Sequence, residues 1–352
     1  RREAAVAGAD VVDDAEREQL GGLELGGVVR FTRLGMPPRQ LASNGWAFGR
    51  DVVDPAQGRS VLFGNPHFPY AGIERLYETR LTVPGQIDVS GVVMLGVPVV
   101  VLGYNKDVAW THTVSTARRF TLHELALKPG DPRTYLVDGA EKAMTPIDVS
   151  VPLADGTSAT RRFYRTEFGP LLQFAQIGAA WSPSRAYALQ DVNMDNNRAV
   201  TTWLAAGKAR NVRELSEVMG TLRGAPYVNT IASDRTGEVL FGDLSAVPNV
   251  EKSLIDQCPS VIGPALLAAQ SIVVLDGSKS ACHWGRSEVP AAERLLPLAR
   301  LPSLIRTDYV ANSNDSYWLT NPAHTFDATL SPLLGRVGAP QSLRTRAGLT
   351  LI

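Results

Sequence analysis

An α+β fold is predicted for this 352-residue chain by three observations. Short runs rich in β-branched and apolar residues dominate 43–170, separated by Gly, Pro, Asp and Asn. The 31 glycines and 23 prolines imply many turns, hence a β-rich body. The clearest helical periodicity comes later, at 211–222.

Residues 1–20 are charged and Ala-rich, with Arg1, Arg2 and Glu3 followed by Asp13, Asp14, Glu16, Arg17 and Glu18. They read as a short helix or a loose arm. Residues 21–42 hold Gly21, Gly22, Gly26, Gly27, Gly35, Pro37 and Pro38, the composition of an exposed connector suited to cleavage. The chain begins at Arg1 without a signal peptide, as a trimmed piece would.

From Ser43 the texture becomes strand-like. Strands are expected at 43–49, 60–64, 76–83, 89–103 and 108–115, then at 119–127, 134–137, 147–151 and 158–167. Pro84-Gly85, Asn105-Lys106-Asp107 and Asp155-Gly156 read as turns between them. Asn211 is a helix cap, and Glu214 follows at capping-box spacing. Val212, Leu215, Val218 and Met219 then share one face. A weaker helix is expected at 199–209. Residues 230–242 return to strand, with a turn at 234–237. Residues 244–308 read as irregular and 316–340 as loop, before a final helix at 342–352.

Charge excludes some partners. Thirty-five basic residues balance 35 acidic ones, and no polybasic run occurs, which argues against nucleic acid or an anionic membrane as the main partner. No stretch approaches the roughly 18 apolar residues that span a bilayer. Cys258 and Cys282 are too few for a disulfide scaffold and lack a metal-binding spacing. They are either two buried thiols or, the preferred reading, one disulfide closing a local loop in an oxidising compartment.

Common catalytic signatures are missing. There is no HExxH, no GxSxG elbow, no phosphate-binding P-loop and no dinucleotide fingerprint. Singly, Ser43 would be a surface hydroxyl, His67 a structural histidine and Asn314 a turn former. Their order and setting change that weighting. Ser43-Asn44, Asn65-Pro66-His67-Phe68-Pro69, Ala109-Trp110-Thr111-His112-Thr113-Val114 and Asn312-Ser313-Asn314-Asp315-Ser316 occur in that sequence. Val114-Ser115-Thr116-Ala117-Arg118-Arg119-Phe120, Asp191-Val192-Asn193, Asn196-Asn197-Arg198-Ala199 and Arg344-Thr345-Arg346 accompany them.

This ordered set resembles the penicillin-amidase family of N-terminal-nucleophile hydrolases from about Ser43 to the end. Within the family it is most similar to the branch acting on aculeacin-type lipopeptides and acyl-homoserine lactones. The resemblance implies a four-layer αββα sandwich, here partial, with Ser43 opening a core strand. Residues 1–42 would be the remnant of an α chain with its spacer, and 43–352 a β-chain core that stops short of the family's full length. Cleavage between Ala42 and Ser43 would free an α-amine. The unperturbed pKa of such an amine, about 7.7–8.0, leaves a useful neutral fraction near pH 7, so Ser43 becomes nucleophile and base together.

The family pattern further puts the oxyanion donors at the Val114 N–H and the Asn314 side-chain amide. It has His67 orient the amine and Arg346 position the asparagine. An apolar acyl pocket is expected from Phe68, Met94, Val97, Trp203, Tyr227 and Val228, though each alone reads equally as core. The implied reaction is hydrolysis of N-acyl compounds with long aliphatic chains, including aliphatic penicillins, in a secreted or periplasmic setting. No cofactor and no metal is expected, and the implied partner is an α chain from the same precursor. The alternative is an unprocessed or inactive fragment that binds a hydrophobic ligand.

Overall fold

The computed structural model describes residues 42–70, 72, 74–285, 293–326 and 329–352. The arm expected over 1–20 and the connector of 21–42 thus lie outside the described residues, apart from Ala42. In chain order the strands are β1 (Ala42–Phe48), β2 (Val61–His67), β3 (Leu76–Val83), β4 (Ile87–Met94), β5 (Leu102–Tyr104), β6 (Val108–Val114), β7 (Phe120–Lys128), β8 (Asp131–Val137) and β9 (Ala140–Ala143). They continue as β10 (Thr145–Pro152), β11 (Ser158–Arg165), β12 (Leu171–Leu172), β13 (Arg185–Asp191), β14 (Val228–Asp234), β15 (Val239–Gly242), β16 (Val274–Asp276), β17 (Ser303–Arg306) and β18 (Tyr309–Asn312). The α-helices are α1 (Ala199–Ala206), α2 (Val212–Leu222), α3 (Lys252–Gln257), α4 (Gly263–Gln270) and α5 (Leu343–Leu351). The described residues divide into two compact units, 42–119 with 192–251 and 293–352, and 120–191 with 252–285.

The first unit carries Ser43 and is layered αββα. Its seven-stranded sheet runs β17-β15-β14-β6-β5-β4-β3, and a three-stranded sheet runs β18-β1-β2. In β1 the buried positions alternate, so Ser43, Gly45 and Ala47 face inward. A Cβ on Gly45 would lie 3.0 Å from Ile231, and one on Gly64 would lie 2.8 Å from the Thr111 hydroxyl. Glycine at both positions lets the two sheets approach closely. Trp46 points the other way and packs against Gly348 of α5, which supplies the outer layer there.

On the far side of the seven-stranded sheet, α1 and α2 bury Ala206, Val212, Leu215 and Met219 against Val89, Val93, Trp110, Ala232 and Leu240. The α2 stripe is the one its periodicity predicts. Asn211 Oδ1 accepts from the Glu214 N–H at 2.8 Å, so the cap forms as expected.

The second unit is built on β12-β13-β7-β8-β9, with β16 added parallel to β7. A separate hairpin, β10-β11, turns at Asp155-Gly156. Cys258 and Cys282 are joined by a disulfide, with Cα atoms 5.5 Å apart across a sequence separation of 24. Closing a loop of that length removes denatured-state entropy worth about 3.5 kcal/mol. Paired Cys258→Ser and Cys282→Ser substitutions are therefore expected to lower stability by about that amount, measurable by denaturant unfolding.

Two stretches depart from expectation. The 89–103 run is not one strand: the chain breaks at Gly96 and Pro98, leaving β4 and β5. Residues 244–308 are not wholly irregular, because α3, α4, β16 and β17 lie within them. Helix α4, Gly-Pro-Ala-Leu-Leu-Ala-Ala-Gln, lacks a polar face, so no amphipathic stripe announces it. Its Pro264 sits in the first turn, where a missing N–H costs nothing.

Candidate active site

Ser43 is 1% exposed, which removes the plain surface-hydroxyl reading. Its backbone N–H donates to Asn314 Oδ1 at 2.6 Å, and its hydroxyl donates to the Ala42 carbonyl at 2.6 Å. Asn314 Nδ2 in turn donates to the Val114 carbonyl at 3.0 Å. These two bonds fix which way the Asn314 amide faces, since its oxygen must accept and its nitrogen must donate. Among the described residues the second Nδ2 hydrogen has no acceptor.

Strand alternation decides where Val114 points. Ser115 N–H bonds the Tyr227 carbonyl at 2.9 Å, so the Val114 N–H and C=O turn to the opposite edge of β6. Strand β5 pairs with β6 only at Ala109 and Trp110, which leaves that edge unpaired by β5 at Val114. The edge faces Asn314. Ser43 N, Asn314 Nδ2 and Val114 are thus brought together from three distant parts of the chain.

A polar network holds Asn314 in place. Asn314 has φ +68, a left-handed conformation that asparagine tolerates better than most residues. Its N–H donates to Asn312 Oδ1 at 2.9 Å. The same oxygen accepts from the Thr113 hydroxyl at 2.7 Å and from Asn229 Nδ2 at 3.3 Å. Asn312 Nδ2 reaches the Asp315 carbonyl, and the Asp315 carboxylate accepts from the Ser342 N–H at 2.7 Å at the start of α5.

His67 lies opposite Ala42 in the β1–β2 register, but its ring bonds Asn65 rather than Ser43. Its Nε2 is 2.8 Å from Asn65 Oδ1, an oxygen that also accepts from Asn44 Nδ2 at 3.2 Å. His67 therefore braces the neighbouring segment, and the contact with the Ser43 nitrogen is made by Asn314.

Arg346 does not occupy the position expected of it. Its side chain is exposed. Arg344 instead donates from Nη1 to the Ser43 carbonyl and, at 3.1 Å, to Asn44 Oδ1. The reason is helical phase: residues 344 and 348 share the face of α5 that meets β1, while 346 points away. Burial lowers the Arg344 pKa, with Asp315 opposing that shift.

The six expected pocket residues divide. Tyr227 and Val228 adjoin Val114 across the β6–β14 pairing. Trp203 and Val228 are partly buried against the core. Trp203 Nε1 donates to His112 Nε2 at 3.0 Å, while the other ring nitrogen of His112 bonds the Asn229 carbonyl at 3.1 Å. Phe68, Met94 and Val97 are half-buried at the ends of β2 and β4, and the hydrogen-bond network around Ser43 does not include them.

Burial pushes the His112 pKa down to about 4, keeping the ring neutral so that Nε2 can accept the indole N–H. The unfolded chain binds the proton near 6.5, so unfolding is favoured as pH falls through the window from about 6.5 to about 4. Stability is expected to drop by a few kcal/mol across that window, with a shallower slope in His112→Gln. His123, pushed by burial to about 3, adds a similar slope that this variant retains. Denaturant midpoints at pH 7, 5.5 and 4 measure both. Among the described residues no group of three or more His, Cys, Asp or Glu is arranged to hold a metal ion. No described helix is long and apolar enough to cross a membrane.

With this geometry in place, comparison with known proteins is specific. The family described as Penicillin amidase matches residues 2–352. The chain belongs to the penicillin amidase family. It is 42% identical over 314 residues to aculeacin-A acylase of Actinoplanes utahensis, covering 89% of this chain and 39% of that protein. It is 40% identical over 314 residues to the acyl-homoserine lactone acylase PvdQ of Pseudomonas syringae pv. syringae (strain B728a), covering 88% of this chain and 39% of that relative. The chain therefore spans about two fifths of the length of these relatives. Thermostable penicillin G acylase from Alcaligenes faecalis shares the fold, with a TM-score of 0.62, 20% identity, and coverage of 82% of this chain and 46% of that one. The α+β sandwich of this penicillin amidase family member is thus the family's fold.

The bonds that organise its Ser43 site include four partners to which the sequence alone assigns no role: Asn65, Asn229, Asn312 and Arg344. Asn229 lies outside every quoted motif, whereas Asn65, Asn312 and Arg344 lie within quoted motifs that assign them no role.

Proposed function

We propose that this chain forms the core of an acylase that hydrolyses the amide bond of N-acyl compounds with long aliphatic tails, after cleavage between Ala42 and Ser43. The observation that carries the proposal is the buried Ser43 nitrogen bonded to Asn314 Oδ1, with the Asn314 amide nitrogen beside Val114.

In the continuous chain, Ser43 Oγ attacks the Ala42 carbonyl carbon, the C–N bond breaks, and the acyl group passes from nitrogen to oxygen. Water then hydrolyses the ester and leaves a free amine where the peptide nitrogen stood. That amine stays within reach of Asn314 Oδ1. The Arg344 cation, bonded to the Ser43 carbonyl, disfavours a second positive charge nearby and so favours the neutral amine.

In turnover the amine takes the Ser43 hydroxyl proton as Oγ attacks the substrate carbonyl. The spare Asn314 N–H and the Val114 N–H stabilise the oxyanion. The amine product leaves with the proton, and water releases the fatty acid. Burying the tail contributes roughly 0.8 kcal/mol per CH₂, so the tail dominates recognition while the head group varies. Phe68, Met94, Val97, Trp203, Tyr227 and Val228 are the proposed walls for that tail.

Residues 1–42 are then spacer and α-chain remnant, and an α chain from the same precursor is the proposed partner. The Cys258–Cys282 disulfide supports a secreted or periplasmic location. The test has two parts. Intact-mass measurement of purified protein should find a new N-terminus at Ser43. The processed protein should release fatty acid from an N-acyl-homoserine lactone, an aculeacin-type lipopeptide or an aliphatic penicillin. Release from none of the three overturns the proposal.

A further inference from the structure

Immediately after Val114 lies a buried ionic assembly that the mechanism above does not use. Arg119, 0% exposed, donates from Nη2 to Asp243 Oδ1 at 2.7 Å. The same carboxylate oxygen accepts from the Ser245 hydroxyl at 3.0 Å. Its other oxygen, Oδ2, accepts from the Ser115 hydroxyl at 2.5 Å, and Ser115 Oγ accepts from the Ala117 N–H at 2.9 Å. Among the described residues, Arg119 Nε and Nη1 have no hydrogen-bond partner. An ion pair removed from water this completely gives little net stability, because desolvation offsets the Coulomb attraction. Its geometry, in contrast, is stiff, since each carboxylate oxygen is committed to named donors.

We infer that Asp243, held by Arg119, is a positioning residue that acts through Ser115 to aim the Val114 N–H at the oxyanion. This rests on the acylase reading. Val114 is the last residue of β6, so the chain is leaving its strand where the oxyanion donor must be held still. The β6–β14 ladder ends here: Val114 faces Val228, the bond past it runs from the Ser115 N–H to the Tyr227 carbonyl, and Tyr227 itself sits at φ +57. The Ser115 side chain supplies the second anchor, and Asp243 fixes that side chain. An oxyanion donor contributes only when it is aligned before the charge develops, and a displacement of about 1 Å can cost as much as 10²-fold in rate.

Ser115→Ala and Ser115→Thr test this in the processed full chain, with Asp243→Asn as a third variant. Ser115→Ala should lower kcat about 10-fold with KM for an N-acyl substrate unchanged, and Ser115→Thr, which keeps the hydroxyl, should recover most of it. An alkylboronic acid forms a tetrahedral anion on the serine oxygen and reads the oxyanion donors directly. Its affinity should fall in Ser115→Ala by the same factor as kcat, while that of the matching fatty acid stays constant. Asp243→Asn should follow Ser115→Ala. If it does not fold, the Ser115 pair decides.

Wild-type kcat and boronate affinity in Ser115→Ala overturn the inference and leave the acylase reading standing. Equal losses of boronate and fatty-acid affinity also overturn it, because they mark general damage. A wild-type chain that neither cleaves before Ser43 nor releases fatty acid removes both the reading and the inference.

Discussion

Ser43→Ala leaves the chain uncut and without acylase activity. The hydroxyl is the attacking group in both reactions, and among the described residues no other side chain donates to the Ala42 carbonyl. Loss on this scale is expected because a nucleophile and its base disappear together: without the hydroxyl there is no cleavage, and without cleavage there is no free amine. The substitution removes one oxygen from a buried site and keeps the backbone N–H bond to Asn314, so the fold should be retained. Intact mass and fatty-acid release measure the two reactions, and circular dichroism checks the fold. An Ser43→Ala chain that still yields a terminus at residue 43, or still releases fatty acid, would place the chemistry elsewhere.

Asn314→Ala slows the acylase step by about 10²–10³, the usual cost of one oxyanion donor. The effect falls on kcat, since the interaction strengthens as charge develops on the oxygen. Two other losses accompany it. The Ser43 nitrogen loses its acceptor, and the Val114 carbonyl loses its donor. Self-cleavage should therefore slow as well. Asn314→Asp separates these roles. It preserves an acceptor for the Ser43 nitrogen but places negative charge where the oxyanion forms, so it should be at least as poor in turnover as alanine. Stopped-time mass spectrometry gives the cleavage rate, and steady-state kinetics on processed protein give kcat. A retained kcat in Asn314→Ala would dismiss this amide as an oxyanion donor.

Much of the strand pattern is legible in the sequence. The turns at Pro84-Gly85 and Asp155-Gly156 fall between β3 and β4 and between β10 and β11. The cap at Asn211 and the apolar stripe of α2 follow from short-range spacing alone. Helix α4 was not legible, because an all-apolar segment carries no phase. Arg344 and Arg346 could not be told apart for a related reason: in Arg-Thr-Arg both residues suit a helix, and only the packing of Gly348 on Trp46 shows which face turns inward.

The site follows the same division. Ser43, Val114 and Asn314 came from an ordered set of motifs, each weak alone. The resemblance has His67 orient the amine freed by cleavage; in the continuous chain its ring bonds Asn65, two residues away on the same face of β2. Sequence order could not reveal that Asn314, 271 positions from Ser43, is the residue that meets this nitrogen.

By itself, then, the sequence determined the local periods, the turns and caps, and the cast of chemically able residues, because those depend on neighbours a few positions apart. Only tertiary structure decided which polar groups pair. Sheet-on-sheet packing at Gly45 and Gly64 carries Ser43 inward, and the β18 loop returns Asn314 to it. Hydrogen bonds act over about 3 Å of space and are indifferent to separation along the chain, so their partners are set by packing.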